Sequence, residues 1–304
     1  MAVPIGAAIS QSAPGNPSNA SPRTLTLRVD NDAFDFWRLA YNRPDEEYSS
    51  GVKIDYDGGD APAWARRFLA NRTACIYDAQ HCRSSRWEFG QDIYTAERTS
   101  DDSTPPPGSR PSAGWLYLTN SALRLDPDRF DDFSITLGVT GKPSLGEFTQ
   151  KLVHSIAPAY NRPVDWSNQV AFAPGVILRY EQRRRVSLLE NPAFGWDFIQ
   201  RFGASVGNVS TEGDVGFQTR LGWSLAHPWL LQRTPFSLAF IAGASEHAIA
   251  RDIFLDENTF PNGTRVGHTP FVTSGEVGIE FRHRWLTLMY RVQSDSRAFA
   301  LGPP

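Results

Sequence analysis

The chain has 304 residues, with 30 Lys and Arg against 33 Asp and Glu, a net charge of -3 and a mean hydropathy of -0.37. That balance gives no global field to draw in nucleic acid or an acidic membrane surface, so no nucleic-acid partner is expected. No run of 18 apolar residues occurs, which excludes a membrane-spanning helix but leaves open a transmembrane β-barrel, whose strands alternate outward apolar with inward polar residues.

Aromatic residues at 12%, with 24 Gly and 22 Pro but only two Met, suit many short strands joined by turns. Residues 1–23, MAVPIGAAISQSAPGNPSNASPR, lack the basic start and long apolar run of a secretory signal. They read as a disordered lead-in or the remnant of a trimmed signal, leaving 24–304 as a β-barrel.

The first strand candidate, in LRVDNDAF (27–34), runs into Asp30, Asn31 and Asp32. Three such side chains are poor strand formers, and away from water each would need hydrogen-bond partners or a cation. A solvated turn is one reading. The other is a hard-oxygen ligand set for Ca²⁺. Cys75 and Cys82, with six residues between them in CIYDAQHC, could close a small disulfide loop or stay as thiols; a metal site with His81 would lack a fourth ligand.

Alternation is clearest in the second half. In DVGFQTRLGWSL, Val215, Phe217, Leu221 and Trp223 share one face with Thr219, while Gln218, Arg220 and Ser224 take the other; SGEVGIEFRH and WLTLMYRVQ read the same way. Charges such as Glu276, Glu280, Arg220 and Arg291 on the second face predict a polar interior and a lipid-facing exterior. Strands are expected near 24–30, 50–57, 85–94, 113–125, 131–141, 171–185, 196–209, 214–225, 235–248, 271–283 and 285–294. That makes eleven, and an open seam between the first and last would expose unpaired backbone to lipid. Seven of the nine tryptophans, Trp87, Trp115, Trp166, Trp196, Trp223, Trp229 and Trp285, suit aromatic girdles.

One segment breaks the alternation. In SLGEFTQKLVHSIA, Glu147, Gln150, Lys151 and His154 recur at helical spacing opposite Leu145, Phe148, Leu152 and Ile156, and Ser144 with Glu147 forms a capping box. His154 is the candidate general base, because imidazole accepts and returns a proton near neutral pH; a surface or structural histidine is the plainer alternative.

At this point the residues carry a resemblance. DNDAF (30–34), EYSSG (47–51), GQDIYT (90–95), RPSAGWLY (110–117), LGVTGKPSLGEFTQKLVH (137–154) and PVDWSNQ (163–169) follow one another as they do in the LpxR-type outer-membrane lipid A deacylases, which the chain resembles from about residue 25 to 180. The resemblance implies an antiparallel twelve-stranded barrel in the bacterial outer membrane, with a site near the extracellular rim between the wall and a short helix. It also implies a hydrolase, a carboxylic ester hydrolase that removes the 3′-acyloxyacyl group of lipid A in lipopolysaccharide. The implied mechanism is calcium-dependent and similar to that of secreted phospholipases A₂. By position, Asn31 and Asp32 match the amide and acid of the site and its Ca²⁺, Ser49 matches its hydroxyl, and His154 matches its catalytic histidine. Arg110 and Lys142 are candidate contacts for lipid A phosphates, and a monomer is expected. Ser112 stands where the family usually has tyrosine. Two rivals are a non-catalytic, porin-like barrel and an outer-membrane phospholipase; no G-x-S-x-G elbow supports the latter.

Overall fold

The structure is a computed structural model. It describes residues 3–11, 23–31, 48–95, 108–156, 165–232, 234–256 and 266–299, with side chains throughout except at 3–11, Asn31, Tyr48, Ser49, His154 and Ile156. The strands are β1 (Val3–Gln11), β2 (Arg23–Asn31), β3 (Tyr48–Gly58), β4 (Thr73–Ala74), β5 (Cys82–Tyr94), β6 (Ala113–Leu125), β7 (Arg129–Thr140), β8 (Pro174–Glu190), β9 (Phe194–Gly207), β10 (Ser210–Trp223), β11 (Ser237–Asp252), β12 (Phe271–His283) and β13 (Leu286–Asp295). One helix, α1 (Gly146–Ile156), follows a 3-10 turn at Lys142–Ser144.

Successive wall strands pair antiparallel, β3 joins β5, and β1 joins β13, so that twelve strands form a closed ring. The two-residue β4 pairs parallel to β5 beside it. All eleven expected strands are present. The lead-in is corrected: residues 3–11 form a wall strand, in register with β2 from Val3↔Asn31 to Gln11↔Arg23 and with β13 from Ile5↔Tyr290 to Ile9↔Leu286. Its pairing closes the seam that eleven strands would leave, and closure satisfies every edge that would otherwise face lipid. Pro4 and the small Gly6, Ala7 and Ala8 gave it little β signal.

Alternation sorts the side chains as a membrane barrel requires. On β10, Val215, Phe217, Leu221 and Trp223 are exposed outward, whereas Arg220 inside is only 2% exposed. The lumen is laced by ion pairs: Arg28 with Asp55 and Glu88, Lys53 with Asp30 and Asp92, and Arg220 with Asp197 and Glu280. Buried charges persist only when paired and hydrogen-bonded, so these pairings hold the polar interior together. A cavity of about 2030 Å³ remains among them.

At one end, where β6 turns into β7, residues 224–232 cross the mouth. Trp229 Nε1 donates to the Asp126 carbonyl (2.6 Å), His227 Nε2 to the Pro127 carbonyl (2.9 Å), and Leu230 packs with Leu123, Leu125, Phe130 and the Cys75–Cys82 disulfide. Of the tryptophans expected in girdles, Trp87, Trp196 and Trp223 are exposed on the outer surface, whereas Trp285 is exposed at the mouth and lines the lumen cavity. The other three in the expected girdles are not girdle residues: Trp115 and Trp166 are buried and Trp229 half-buried, because each serves internal packing or hydrogen bonding.

Candidate functional site

The opposite end of the barrel carries α1, and a line of backbone pairs leads to it. Asn31, the last residue of β2, pairs with Ser50; Ser50 pairs with Ile93; Ile93 pairs with Gly114. Adjacent strands lie about 4.8 Å apart, so this line covers about 14 Å of rim. Ser49 sits where the β3–β5 register slips between Tyr48 and Ser50. Such bulges bend a strand and re-aim its side chains, and they recur beside active sites.

Lumen and outer face separate cleanly here. Asp30, directly before Asn31, points inward and accepts from Lys53 (3.0 Å), which also lies 3.3 Å from Asp92, so the ends of β2, β3 and β5 are tied together from inside. On β5 and β6, Gln91, Ile93 and Gly114 share the outward face with exposed Phe89 and Leu118, yet Ile93 is buried. What covers them is the 3-10 turn and the start of α1, packed against the outside of the wall.

This packing has local causes. Gln91 Nε2 donates to the Ser144 carbonyl (2.6 Å). A Cβ on Gly114 would run into the Ser144 side chain and lie 3.1 Å from Gly146 Cα, and one on Gly146 would lie 2.9 Å from the Trp166 ring. Two glycines therefore let helix and wall touch at backbone distance. On the helix, buried Gln150 accepts from Trp166 Nε1 (2.7 Å). Residues 165–173 are fastened to the rim in turn: Ser112 Oγ donates to the Asp165 carbonyl, Val170 N–H to the Ser112 carbonyl and Thr140 Oγ1 to the Ala171 carbonyl, all at 2.8 Å. Hydrogen bonds from Ser167 hold the Asp165 carboxyl below the usual carboxylate range.

The expected capping box does not form. Leu145 takes a left-handed conformation (φ 59°), Ser144 Oγ donates back to the Gly141 carbonyl (2.6 Å), and Glu147 pairs with Lys151 instead. The apolar stripe of α1, with Leu145, Phe148 and Leu152, is exposed and not packed on the wall.

His154 lies eight residues after Gly146, about 12 Å along the helix axis. The structure thus gathers the backbones of Asn31, Ser49 and His154 at one end of the barrel; Asp32 lies outside the described residues. Lys142 is exposed in the turn before α1. Arg110 lies on the other side of the wall: it lines the lumen cavity, with its guanidinium 4.6 Å above the Tyr94 ring. Sequence reading missed the two-glycine contact and the Gln150–Trp166 bond, which join positions far apart in the chain and leave no periodic trace.

Among the described residues one group offers clustered metal ligands, Glu212, Asp214 and His247, within 4.8 Å of one another in the lumen. Arg179 bonds both carboxylates (2.7 and 3.3 Å) and Arg201 lies 3.2 Å from Asp214, so two guanidiniums already balance the two acids. The group reads as part of the ion-pair lattice.

A closed antiparallel ring with an apolar outer surface, a charged interior and a rim-borne helix defines a transmembrane β-barrel of the outer-membrane class. Comparison makes this specific: the family model of outer membrane protein LpxR matches residues 1–302, and the chain belongs to that family. Among solved structures it is similar to LpxR from Salmonella typhimurium, at 13% identity and a TM-score of 0.72 over 99% of this chain and 95% of that one. The β domain of the Bordetella autotransporter BrkA aligns over 98% of this chain and 97% of its own, at 10% identity and a TM-score of 0.38. No curated protein sequence matches the chain.

Proposed function

We propose that the protein is a Ca²⁺-dependent esterase of the outer membrane that removes the 3′-acyloxyacyl group of lipid A at the outer face of its wall, beside α1. The observation that carries this reading is the pairing line from Asn31 through Ser50 and Ile93 to Gly114, which ends at the foot of the helix bearing His154. Family membership supports the substrate class. Four of the five connections at this end are long (32–47, 95–112, 141–173 and 253–270, against the short 208–209), whereas three of the six at the other are tight turns (126–128, 191–193 and 284–285) beside the longer 12–22, 59–81 and 224–236; the balance supports an extracellular orientation, since outer-membrane barrels keep their short turns in the periplasm.

In this reading His154 takes a proton from water as the water attacks the ester carbonyl carbon, and returns it to the departing alkoxide oxygen as the carbon–oxygen bond breaks. Ser49 steadies the water or the base by hydrogen bonding. Asp30 is committed to Lys53, which leaves Asn31 and Asp32, an amide and a carboxylate oxygen donor, as the residues that would hold Ca²⁺. When bound, the ion supplies positive charge beside the oxygen on which negative charge develops. Trp166 and Gln150 fix the helix so that His154 stays at one distance from the wall. Lys142, exposed at the same rim, would meet a lipid A phosphate.

Mass spectrometry of lipid A from cells making the wild type or His154→Ala tests the reading. The expected result is loss of the 3′-acyloxyacyl mass with the wild type only. An unchanged acyl pattern in both, with both barrels folded, would refute it.

A further inference from the structure

On the outer wall at the end opposite α1, residues 60–72 form consecutive turns whose inner side, Ala61, Ala65 and Leu69, is buried on Ala122 of β6. The segment is firmly held: Trp64 Nε1 donates to Asn120 Oδ1 (2.8 Å), Arg83 clamps Asp60 (2.6 Å) and the Leu69 carbonyl (2.9 Å), and the Cys75–Cys82 disulfide fastens the chain beyond it to β5. What this scaffold presents is unusual for a surface in water. Phe68 is 80% exposed, Trp64 is 41% exposed, and Arg66 and Arg67 stand exposed beside them.

We infer that residues 60–72 are an interfacial anchor that binds anionic glycerophospholipid in the leaflet at this end, with Phe68 and Trp64 in the upper acyl region and Arg66 and Arg67 at the phosphates. Continuity argues for lipid as the occupant. Asn120, which holds Trp64, lies two residues from lipid-facing Leu118 on the same face of β6, and Trp87 and Phe89 are exposed on the neighbouring strand. Tryptophan favours the boundary between hydrocarbon and headgroups, and an amphipathic element with aromatic and basic faces lies in that plane. A guanidinium held near an anionic surface is drawn to it electrostatically. The anchor sits away from the α1 site and does not depend on the esterase reading.

Because both native cysteines are bridged, Phe68→Cys gives a single labelling site. The full chain, labelled there with a nitroxide and reconstituted in phosphatidylethanolamine/phosphatidylglycerol vesicles, should be more accessible to oxygen than to a water-soluble nickel chelate, as a buried label is. A label that reads as water-exposed would overturn the inference. In a second arm, native mass spectrometry should show the wild type retaining phosphatidylglycerol over phosphatidylcholine, with that preference reduced roughly tenfold or more in Arg66→Gln/Arg67→Gln. Equal retention of the two lipids by both proteins would overturn it too, and heat-modifiable gel mobility confirms that each variant is folded.

Discussion

Trp166 and Gln150 bond to each other in a place closed to water, so the loss of one partner costs more than the bond itself. Trp166→Phe keeps most of the ring and removes the N–H. It should cost about 1–3 kcal/mol of local stability and lower lipid A deacylation while the barrel still folds, as gel mobility and an acyl-release assay would show. His227, at the other end, reports on pH. Its Nε2 donates to Pro127 and its Nδ1 accepts from the Leu230 N–H (3.0 Å), a pattern that needs the neutral ring. Burial pushes its pKa down to about 3 from an ordinary 6.5, and nearby Arg185, Arg220 and Arg282 add to the shift. Between these values the unfolded chain binds a proton that the folded chain refuses, so the ring's contribution is complete above pH 6.5 and is lost as pH falls through the window. Between pH 7 and 5.5 the urea midpoint of the wild type in detergent should fall more than that of His227→Gln; equal slopes would count against this. At this scale the sequence was legible in part. It put forward His154, Asn31 and Ser49, whose backbones lie at one end of the barrel, and Asp32, which lies outside the described residues; it misread Ser144 as a cap because nothing local announces the left-handed Leu145.

Strands were the most legible elements, since alternation in residues such as 214–224 follows directly from a wall with lipid on one side and paired charges on the other. β1 failed that test through its proline and small residues, and the 60–72 anchor failed it because a run of turns has no strand or helix period. The helix was found by its spacing, yet the face it buries is the polar one with Gln150, while Phe148 and Leu152 stay outside. A helix on the outer wall of a membrane barrel can leave its apolar stripe outward. This argument places a demand on Gly114: Gly114→Val would meet Ser144 and Gly146 and push α1 off the wall. Activity should drop at least roughly tenfold, which is only about 1.4 kcal/mol of misplacement at the transition state, with barrel stability little changed. Gly114→Val at full activity would mean that the contact between wall and helix does not matter.

Across the whole molecule, charges line a lumen that the 224–232 segment crosses, anchored through Trp229 and His227. A porin-like protein needs an unobstructed path, so the wild type should give no steady conductance in planar bilayers, and a variant with this crossing segment shortened should. Steady wild-type channels would favour the porin-like alternative. The barrel class was readable from composition and period. Which lumen charges would pair, and that a segment would cross the mouth, depend on contacts between distant strands that no sequence window contains.

The central claim is that the end of β2 and the third turn of α1 meet at one patch of the outer rim. Nitroxides placed at Asn31→Cys and His154→Cys, with both native cysteines bridged, measure this directly by pulsed electron resonance. Three strand spacings, about 14 Å, separate Asn31 from Gly114, and His154 lies about 12 Å along α1; with the helix running back over the wall towards Asn31, as the account requires, the separation should be about 20 Å or less. A distribution centred beyond about 30 Å would put the two on different parts of the molecule and contradict the account.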